Sequence, residues 1–271
     1  MLKNVVRVAA LVLLVGLLSS PPAQAASSPE APPVAGRVDY QLGGAYKPAR
    51  GVDVVVRDRT SKPARGRYSI CYVNAFQTQP GELGWWRSKH PGLLLHDDDG
   101  QLVADPDWPD EVLLDTSTAN KRAGLARIVG RWVRGCADRG FDAVESDNLD
   151  SWTRSDGRLT RAGNIALARS LVRTGHRAGL SMGQKNAAEA VRAGRRTARF
   201  DFATAEECEV YRECGAYRRV YKRHLIEIEY TDNGKRAFRR ACAKRGHSVS
   251  VLLRDRDVVR RGADGYVSRW C

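Results

Sequence analysis

The stretch Phe141-Asp142-Ala143-Val144-Glu145-Ser146-Asp147-Asn148-Leu149-Asp150 decides how this chain is read, because a short apolar strand runs there straight into clustered acidic side chains. Just before it, Leu125, Ile128, Val129, Trp132, Val133 and Cys136 recur at the spacing of one helix face, and Gly140 stands where that helix must end. Helix, glycine, strand and carboxylates, in that order, make one unit of a parallel sheet ending where chemistry collects. The order helix, glycine, strand returns at Gly179 and Gly246. Thr160 is placed to cap a helix carrying Ile165, Ala168, Leu171 and Val172, and another helix is expected from Asn233 to Gly246.

Extended segments are expected at 38–42, 52–56, 68–74, 112–115, 141–146, 180–184, 200–204, 225–230 and 248–253. Eight or nine strands alternating with helices predict an α/β protein, a (β/α)8 TIM-type barrel in a single domain. No Gly-x-Gly-x-x-Gly or Walker-type loop is present, so a nucleotide-binding sheet has little to recommend it.

The N-terminus belongs to a different category. Lys3 and Arg7 flank an apolar run from Val8 to Leu18, and Ala23-Gln24-Ala25 has the small-x-small form of a cleavage site. Residues 1–25 are therefore expected to be a signal peptide cut before Ala26, residues 26–36 a flexible leader rich in Pro, Ala and Ser, and residues 37–271 the barrel. No later segment approaches the roughly 18 uninterrupted apolar residues of a spanning helix. The mature chain is thus expected to be secreted and free of the membrane.

Six cysteines in an exported chain are most simply disulfide partners. Cys208 and Cys214 bracket a short loop, and Cys242 has Cys271 within its reach at the chain end. For Cys71 and Cys136 a bridge and two buried thiols are equally open. No His lies near Cys208 and Cys214 to complete a zinc set, and no metal or cofactor is expected. The formal charge of +14, less two when Lys3 and Arg7 depart, comes mostly from arginines spread over helix faces, such as Arg122, Arg127, Arg131, Arg134 and Arg139. Without a run of five or six cations, solvated helix faces are expected, and not a nucleic-acid partner.

On a barrel, chemistry sits at the strand ends, where this chain places Gln41, Asp58, Tyr72, Asp147, Asn148, Asp150, Lys185, Asn186, Glu206, Glu229 and Tyr230. Carboxylates and amides bond sugar hydroxyls, and tryptophan faces cover the apolar side of a pyranose; Trp85, Trp86, Trp108 and Trp152 fall in the intervening loops. Glycoside hydrolysis needs two flanking carboxyl groups, one protonated and one ionised. Asp147 and Glu206, from different strand ends, are the expected catalytic pair, and the other residues of that series are expected to bind or orient substrate. Asn148 and Lys185 should keep Asp147 ionised as nucleophile, while Glu207 and Glu209 beside Glu206 should favour its protonated form as acid.

The succession Tyr40-Gln41, Ile70-Cys71-Tyr72, Asp107-Trp108-Pro109, Phe141 to Asp150, Gly183-Gln184-Lys185-Asn186, Phe200-Asp201-Phe202-Ala203 with Glu206-Glu207-Cys208, and Ile228-Glu229-Tyr230 resembles glycoside hydrolase family 114, the endo-α-1,4-polygalactosaminidases and their relatives. The resemblance implies a (β/α)8 barrel, cleavage of α-1,4-linked galactosamine polymer, a catalytic Asp at Asp147 and a catalytic Glu at Glu206. It also matches Lys185 to a lysine of the family and the Cys208 to Cys214 spacing to a loop bridge. Glu145-Ser146-Asp147-Asn148 stands where relatives commonly carry Asp-Pro-Asp-Asn, Ala205 where Asn is frequent, and Tyr40 where Trp is usual. The expected function is a secreted glycoside hydrolase with a polysaccharide or oligosaccharide substrate. The alternatives are a non-catalytic carbohydrate-binding barrel and a basic protein that binds acidic cell-wall polymer.

Overall fold

The computed structural model describes residues 29–271 and the isolated Leu2. The expected signal peptide and the first residues of the leader lie outside the described residues, Leu2 apart. The leader's last residues touch the body, where the Tyr68 hydroxyl donates to the Glu30 carbonyl at 2.6 Å.

Nine strands form one sheet in sequential order. They are β1 (Val38–Gln41), β2 (Val54–Asp58), β3 (Tyr68–Asn74), β4 (Ala143–Asp147), β5 (Ser181–Lys185), β6 (Phe202–Glu206), β7 (Leu225–Tyr230), β8 (Ser250–Arg254) and β9 (Ser268–Trp270). Each of the first seven pairs in parallel with the next, and β9 returns antiparallel to β8. The sheet curls into a barrel because both faces of its strands are apolar, so each must be covered. Val38, Val56, Ile70, Ala143, Phe202, Ile228 and Leu252 meet in one interior cluster. Val73, Val144, Met182 and Val251 pack outward against helices. The seam between β1 and β8 is closed by side chains: Arg254 Nε donates to the Tyr40 carbonyl at 3.1 Å and Trp270 Nε1 to the Val38 carbonyl at 2.6 Å.

The helices are α1 (Leu83–Lys89), α2 (Ala119–Asp138), α3 (Arg161–Arg177), the short turn α4 (Val191–Ala193), α5 (Cys214–Tyr221) and α6 (Arg236–Arg245). On α2 the stripe Leu125, Ile128, Val129, Val133 and Cys136 is buried as its spacing predicts, while Trp132 of the same stripe is only partly covered. Thr160 caps α3 by accepting from Gly163 N at 3.1 Å. Gly140 and Gly179 close α2 and α3 with left-handed φ of 88° and 79°. Gly246 differs: its φ is −53°, and the position is glycine because a Cβ would stand 2.9 Å from Cys271 Sγ.

Three expectations are corrected. Residues 112–115 are not a barrel strand; Val112, Leu113 and Leu114 make only isolated bridges within the excursion joining β3 to α2. Strands β3 and β4 pair directly from Ile70↔Ala143 to Asn74↔Asp147, so no slot exists between them. The first two crossovers, β1 to β2 and β2 to β3, contain no helix. Finally, most ladders run up to two residues further than apolarity alone suggests, so Asp147, Lys185 and Glu206 are the last paired residues of their strands and not the first residues of loops.

Three disulfides, Cys71–Cys136, Cys208–Cys214 and Cys242–Cys271, account for all six cysteines. The first ties β3 to α2 and settles the open choice in favour of a bridge. In the chain-entropy model, closing its 65-residue separation is worth about 4 kcal/mol, against about 2 for the six-residue separation of Cys208–Cys214. Urea unfolding of Cys71→Ala/Cys136→Ala should therefore show the larger loss of the two bridge deletions. A smaller loss than for Cys208→Ala/Cys214→Ala would contradict this ranking.

Candidate active site

Strand alternation selects the side chains that enter the barrel. Ile70, Tyr72 and Asn74 point inward from β3, Ala143, Glu145 and Asp147 from β4, Phe202, Thr204 and Glu206 from β6, and Ile226, Ile228 and Tyr230 from β7. On β5 the inward pair is Gly183 and Lys185. Gly183 has no room for a side chain, since a Cβ would come within 2.4 Å of the Phe202 ring. That ring floors the layer in which Lys185 stands.

Lys185 is almost fully buried, and its ammonium collects three carboxyl groups: Asp147 Oδ2 at 3.2 Å, Glu206 Oε1 at 3.2 Å and Glu145 Oε1 at 3.9 Å. Each carboxyl also receives a tyrosine hydroxyl. Tyr40 donates to Glu145 Oε1 at 2.5 Å, Tyr72 to Asp147 Oδ2 at 2.7 Å, and Tyr230 to Glu206 Oε1. The rings of Tyr40 and Tyr72 lie 5.6 and 5.4 Å from the ammonium nitrogen, close enough for cation–π attraction.

Three carboxyl groups around one ammonium cannot all ionise cheaply in a buried layer, and the surroundings separate them. Burial pushes the Glu145 carboxyl up to about 7 against the pull of Lys185. Burial pushes Asp147 upward too, but Lys185, the Tyr72 hydroxyl and the Asn148 amide outweigh it and hold this carboxyl below its ordinary value. For Lys185 the desolvation that would discharge it is overcome by Asp147, Glu206 and Glu145, which raise it well above the usual ammonium value.

Two asparagines in left-handed conformations build the local geometry. Asn148, at φ 63°, turns the chain so that its own amide donates to Asp147 Oδ1 at 2.8 Å, while its side chain donates to Asn74 Oδ1 at 2.9 Å. Asn186, at φ 50°, clamps Glu206 twice: its Nδ2 donates to Glu206 Oε2 at 2.9 Å, and its Oδ1 accepts from Glu206 N at 2.9 Å. The turn after β5 is held from outside the barrel by Gln184, whose amide donates to the carbonyls of Asn186 and Ala187.

Of the residues expected from sequence, Tyr72, Asp147, Asn148, Lys185, Asn186, Glu206 and Tyr230 come together. Asp150 sits at the rim, 3.1 Å from Arg154, whose Nε also reaches Asp105 Oδ2 at 2.7 Å. Three do not join the cluster. Gln41 is buried and spent on structure, donating to Asp39 at 2.8 Å and accepting from Arg57 at 2.9 Å. Asp58 accepts from Thr60 and from Gln79 Nε2 at 2.7 Å, organising the turn after β2. Glu229 alternates with Tyr230 and so faces outward, where it accepts from Glu209 N at 2.9 Å; burial pushes it up to about 7. Glu207 and Glu209 do not crowd Glu206 either. Arg256 pairs with Glu207 at 2.6 Å, and Arg240, Lys244 and Arg245 pair with Glu209.

Glu145 was not expected in the site, although its place two residues before Asp147 on one strand was the signal for it. Glu111 was also unexpected. It arrives from the β3–α2 excursion, accepts from Asn74 Nδ2 at 2.7 Å, and is pushed up by burial to about 7. Nothing in the sequence links residues 37 apart in irregular chain. The tryptophans divide: Trp86 lies in the core, Trp152 packs half-buried against the core cluster, and Trp85 and Trp108 are 40% and 55% exposed. Trp85 and Trp86 stand on α1, not in an irregular loop.

Solved structures share this architecture. Ega3 of Aspergillus fumigatus, in complex with galactosamine, superposes with a TM-score of 0.71 at 21% identity over 92% of this chain and 100% of that one. The glycoside hydrolase domain of PelA from Pseudomonas aeruginosa gives 0.60 at 15% identity over 84% of this chain and 97% of that one. No curated protein sequence matches. At such identities the likeness is one of fold, and membership rests on the sequence profile of glycoside-hydrolase family GH114. That profile matches residues 19–271 and so takes in every barrel strand, the lysine and all three of its carboxyl partners; this chain belongs to glycoside-hydrolase family GH114.

Proposed function

We propose that this chain is a secreted glycoside hydrolase that cleaves α-1,4-linked galactosamine-containing polysaccharide, with Asp147 as nucleophile and Glu206 as general acid and base. The observation that carries the reading is the single Lys185 ammonium 3.2 Å from an oxygen of each. Those two oxygens can be no farther apart than twice that distance, which is compatible with the close spacing of a double displacement that retains configuration.

In the first step an Asp147 oxygen attacks the anomeric carbon while Glu206 delivers a proton to the departing glycosidic oxygen. Asp147 gives up its charge on becoming an ester, just as Glu206 acquires one. Lys185 touches both, so one fixed cation faces the charge wherever it stands, with no reorganisation between half-reactions. Asn186 and the Tyr230 hydroxyl hold the Glu206 carboxylate that then accepts a proton from water. Glu145, keeping its proton up to about pH 7, spares the layer a third negative charge.

Charge supports an amino-sugar substrate. The chain is basic outside, yet the strand ends gather the carboxyl groups of Asp147, Asp150, Glu206 and Glu111, acceptors that suit an ammonium-bearing sugar. Ega3, the neighbour of similar fold, is complexed with galactosamine. Three disulfides suit an oxidising destination, consistent with export and a mature chain beginning at Ala26.

Two substitutions test the pair. Asp147→Asn should abolish turnover both on galactosamine oligomers and on an aryl glycoside. Glu206→Gln should lose about 10²–10⁴ in rate on the oligomers and recover much of it on the aryl glycoside, whose leaving group needs little protonation. Rescue of Asp147→Asn in place of Glu206→Gln would exchange the roles. A third variant tests the shared cation. In Lys185→Met, burial acts on Asp147 without its main counterweight, so its pKa rises. The nucleophile must be ionised, so activity is lost as pH falls through that pKa. The acid limb of the kcat/KM profile should then move up by about 1–3 pH units. An unmoved limb would remove Lys185 from the mechanism.

A further inference from the structure

Outside the barrel wall, between the loop that follows β6 and helix α6, lies a groove of about 620 Å³ that the proposed chemistry does not use. Five cations line it, Arg212, Arg236, Arg240, Lys244 and Arg245, with Glu209 as its acidic side chain. Arg240, Lys244 and Arg245 reach Glu209 at 3.0, 3.0 and 2.6 Å, and Arg245 also pairs with the buried Glu227 at 2.6 Å. Arg212 and Arg236 are exposed and have no acidic partner among the described residues. Cations therefore remain in excess after both carboxylates are satisfied.

Their arrangement is linear. Arg236, Arg240 and Lys244 are spaced by four along α6 and form one stripe, with successive charges rising about 6 Å along the axis. Like charges at this spacing weaken a helix. Glu209 meets only the last two, which leaves the Arg236 end of the stripe and the Arg212 wall facing open groove.

We propose that this groove binds a linear anionic glycan, whose carboxylates or phosphates recur along the chain, and so holds the enzyme on acidic polymer while the barrel mouth works on an amino-sugar chain. A repeating anion can meet the stripe at several points at once, whereas a compact anion would satisfy one end. The lining contains no aromatic side chain on which a base could stack, which sets this groove apart from single-stranded nucleic-acid channels. The proposal stands whether or not the catalytic roles of Asp147 and Glu206 are as assigned, because none of those residues lines the groove.

The test is fluorescence anisotropy of the intact mature protein with labelled polygalacturonate and with a labelled glycan of repeating hexose phosphate across a salt series. The wild type should bind, more weakly as salt rises. Arg212→Gln/Arg236→Gln should weaken binding about tenfold or more and lower the log–log salt slope by about two, one for each cation removed. Arg169→Gln/Arg173→Gln, which removes two exposed cations from α3, should keep wild-type affinity, and both double variants should keep wild-type activity on short oligomers. Loss with only one of the two polymers supports the groove and identifies which anion it takes. Absence of wild-type binding, equal weakening in both double variants, or tighter binding of a single-stranded oligonucleotide than of either glycan would overturn the proposal.

Discussion

A buried ammonium shared by carboxyl groups from β4 and β6 is the interaction on which the site depends. Lys185 could not remain charged at this depth without Asp147, Glu206 and Glu145, and the three carboxyls could not crowd one layer without Lys185. The mutual requirement fixes several features around it. Gly183 exists because Phe202 must floor the layer, and Asn148 and Asn186 take left-handed conformations that turn the chain back onto the two carboxylates. Three tyrosines, Tyr40 and Tyr230 buried and Tyr72 partly so, are raised in pKa by desolvation and by these carboxyls and so remain proton donors to them.

Such a layer needs a rigid rim, and the rim is closed unconventionally. Strands β1 and β8 meet through side chains. Arg254 is fully buried, donates to the carbonyls of Tyr40, Val259 and Val267, and pairs with Asp255. Trp270 on β9 extends the closure to Val38, and the Cys242–Cys271 bridge anchors β9 to α6. A buried guanidinium each of whose three nitrogens finds a carbonyl or a carboxylate meets the condition under which such a charge is tolerated. The seam lies beside Tyr40, so it also sets the position of one of the hydroxyls that address the carboxyl cluster.

Charge is partitioned between the inside and outside of the barrel wall. Alternation along β7 sends Tyr230 to the acidic mouth and Glu227 and Glu229 outward, where Glu227 meets Arg245 of α6. Just beyond Glu206, Glu209 is likewise drawn outward by the α6 cations, while Glu207 is paired by Arg256, which stacks on the Tyr230 ring. The loop after Glu206 is thus pinned by ion pairs and by Cys208–Cys214 on its outer side. The strongly basic composition belongs to this outer shell and does not contradict an acidic cleft.

The barrel, the α2 and α3 faces with their terminal signals, and the strand ends that carry Asp147, Lys185 and Glu206 are legible in the residues alone. Periodicity, capping and apolar runs are local properties, legible within ten or twenty residues. Which polar strand ends meet follows only from the closed sheet. Gln41, Asp58 and Glu229 looked like Tyr72 and Asp147 in sequence, yet alternation and neighbouring donors turn them to structural tasks. Glu145 entered the site because inward residues of a strand stack two apart, and Glu111 because an irregular excursion folds back over Asn74. The pairing of Cys71 with Cys136 is of the same kind. The long-range contacts among these, Tyr40 with Glu145, Asn74 with Glu111 and Cys71 with Cys136, join residues whose separation in the chain carries no information about their separation in space until the sheet has closed.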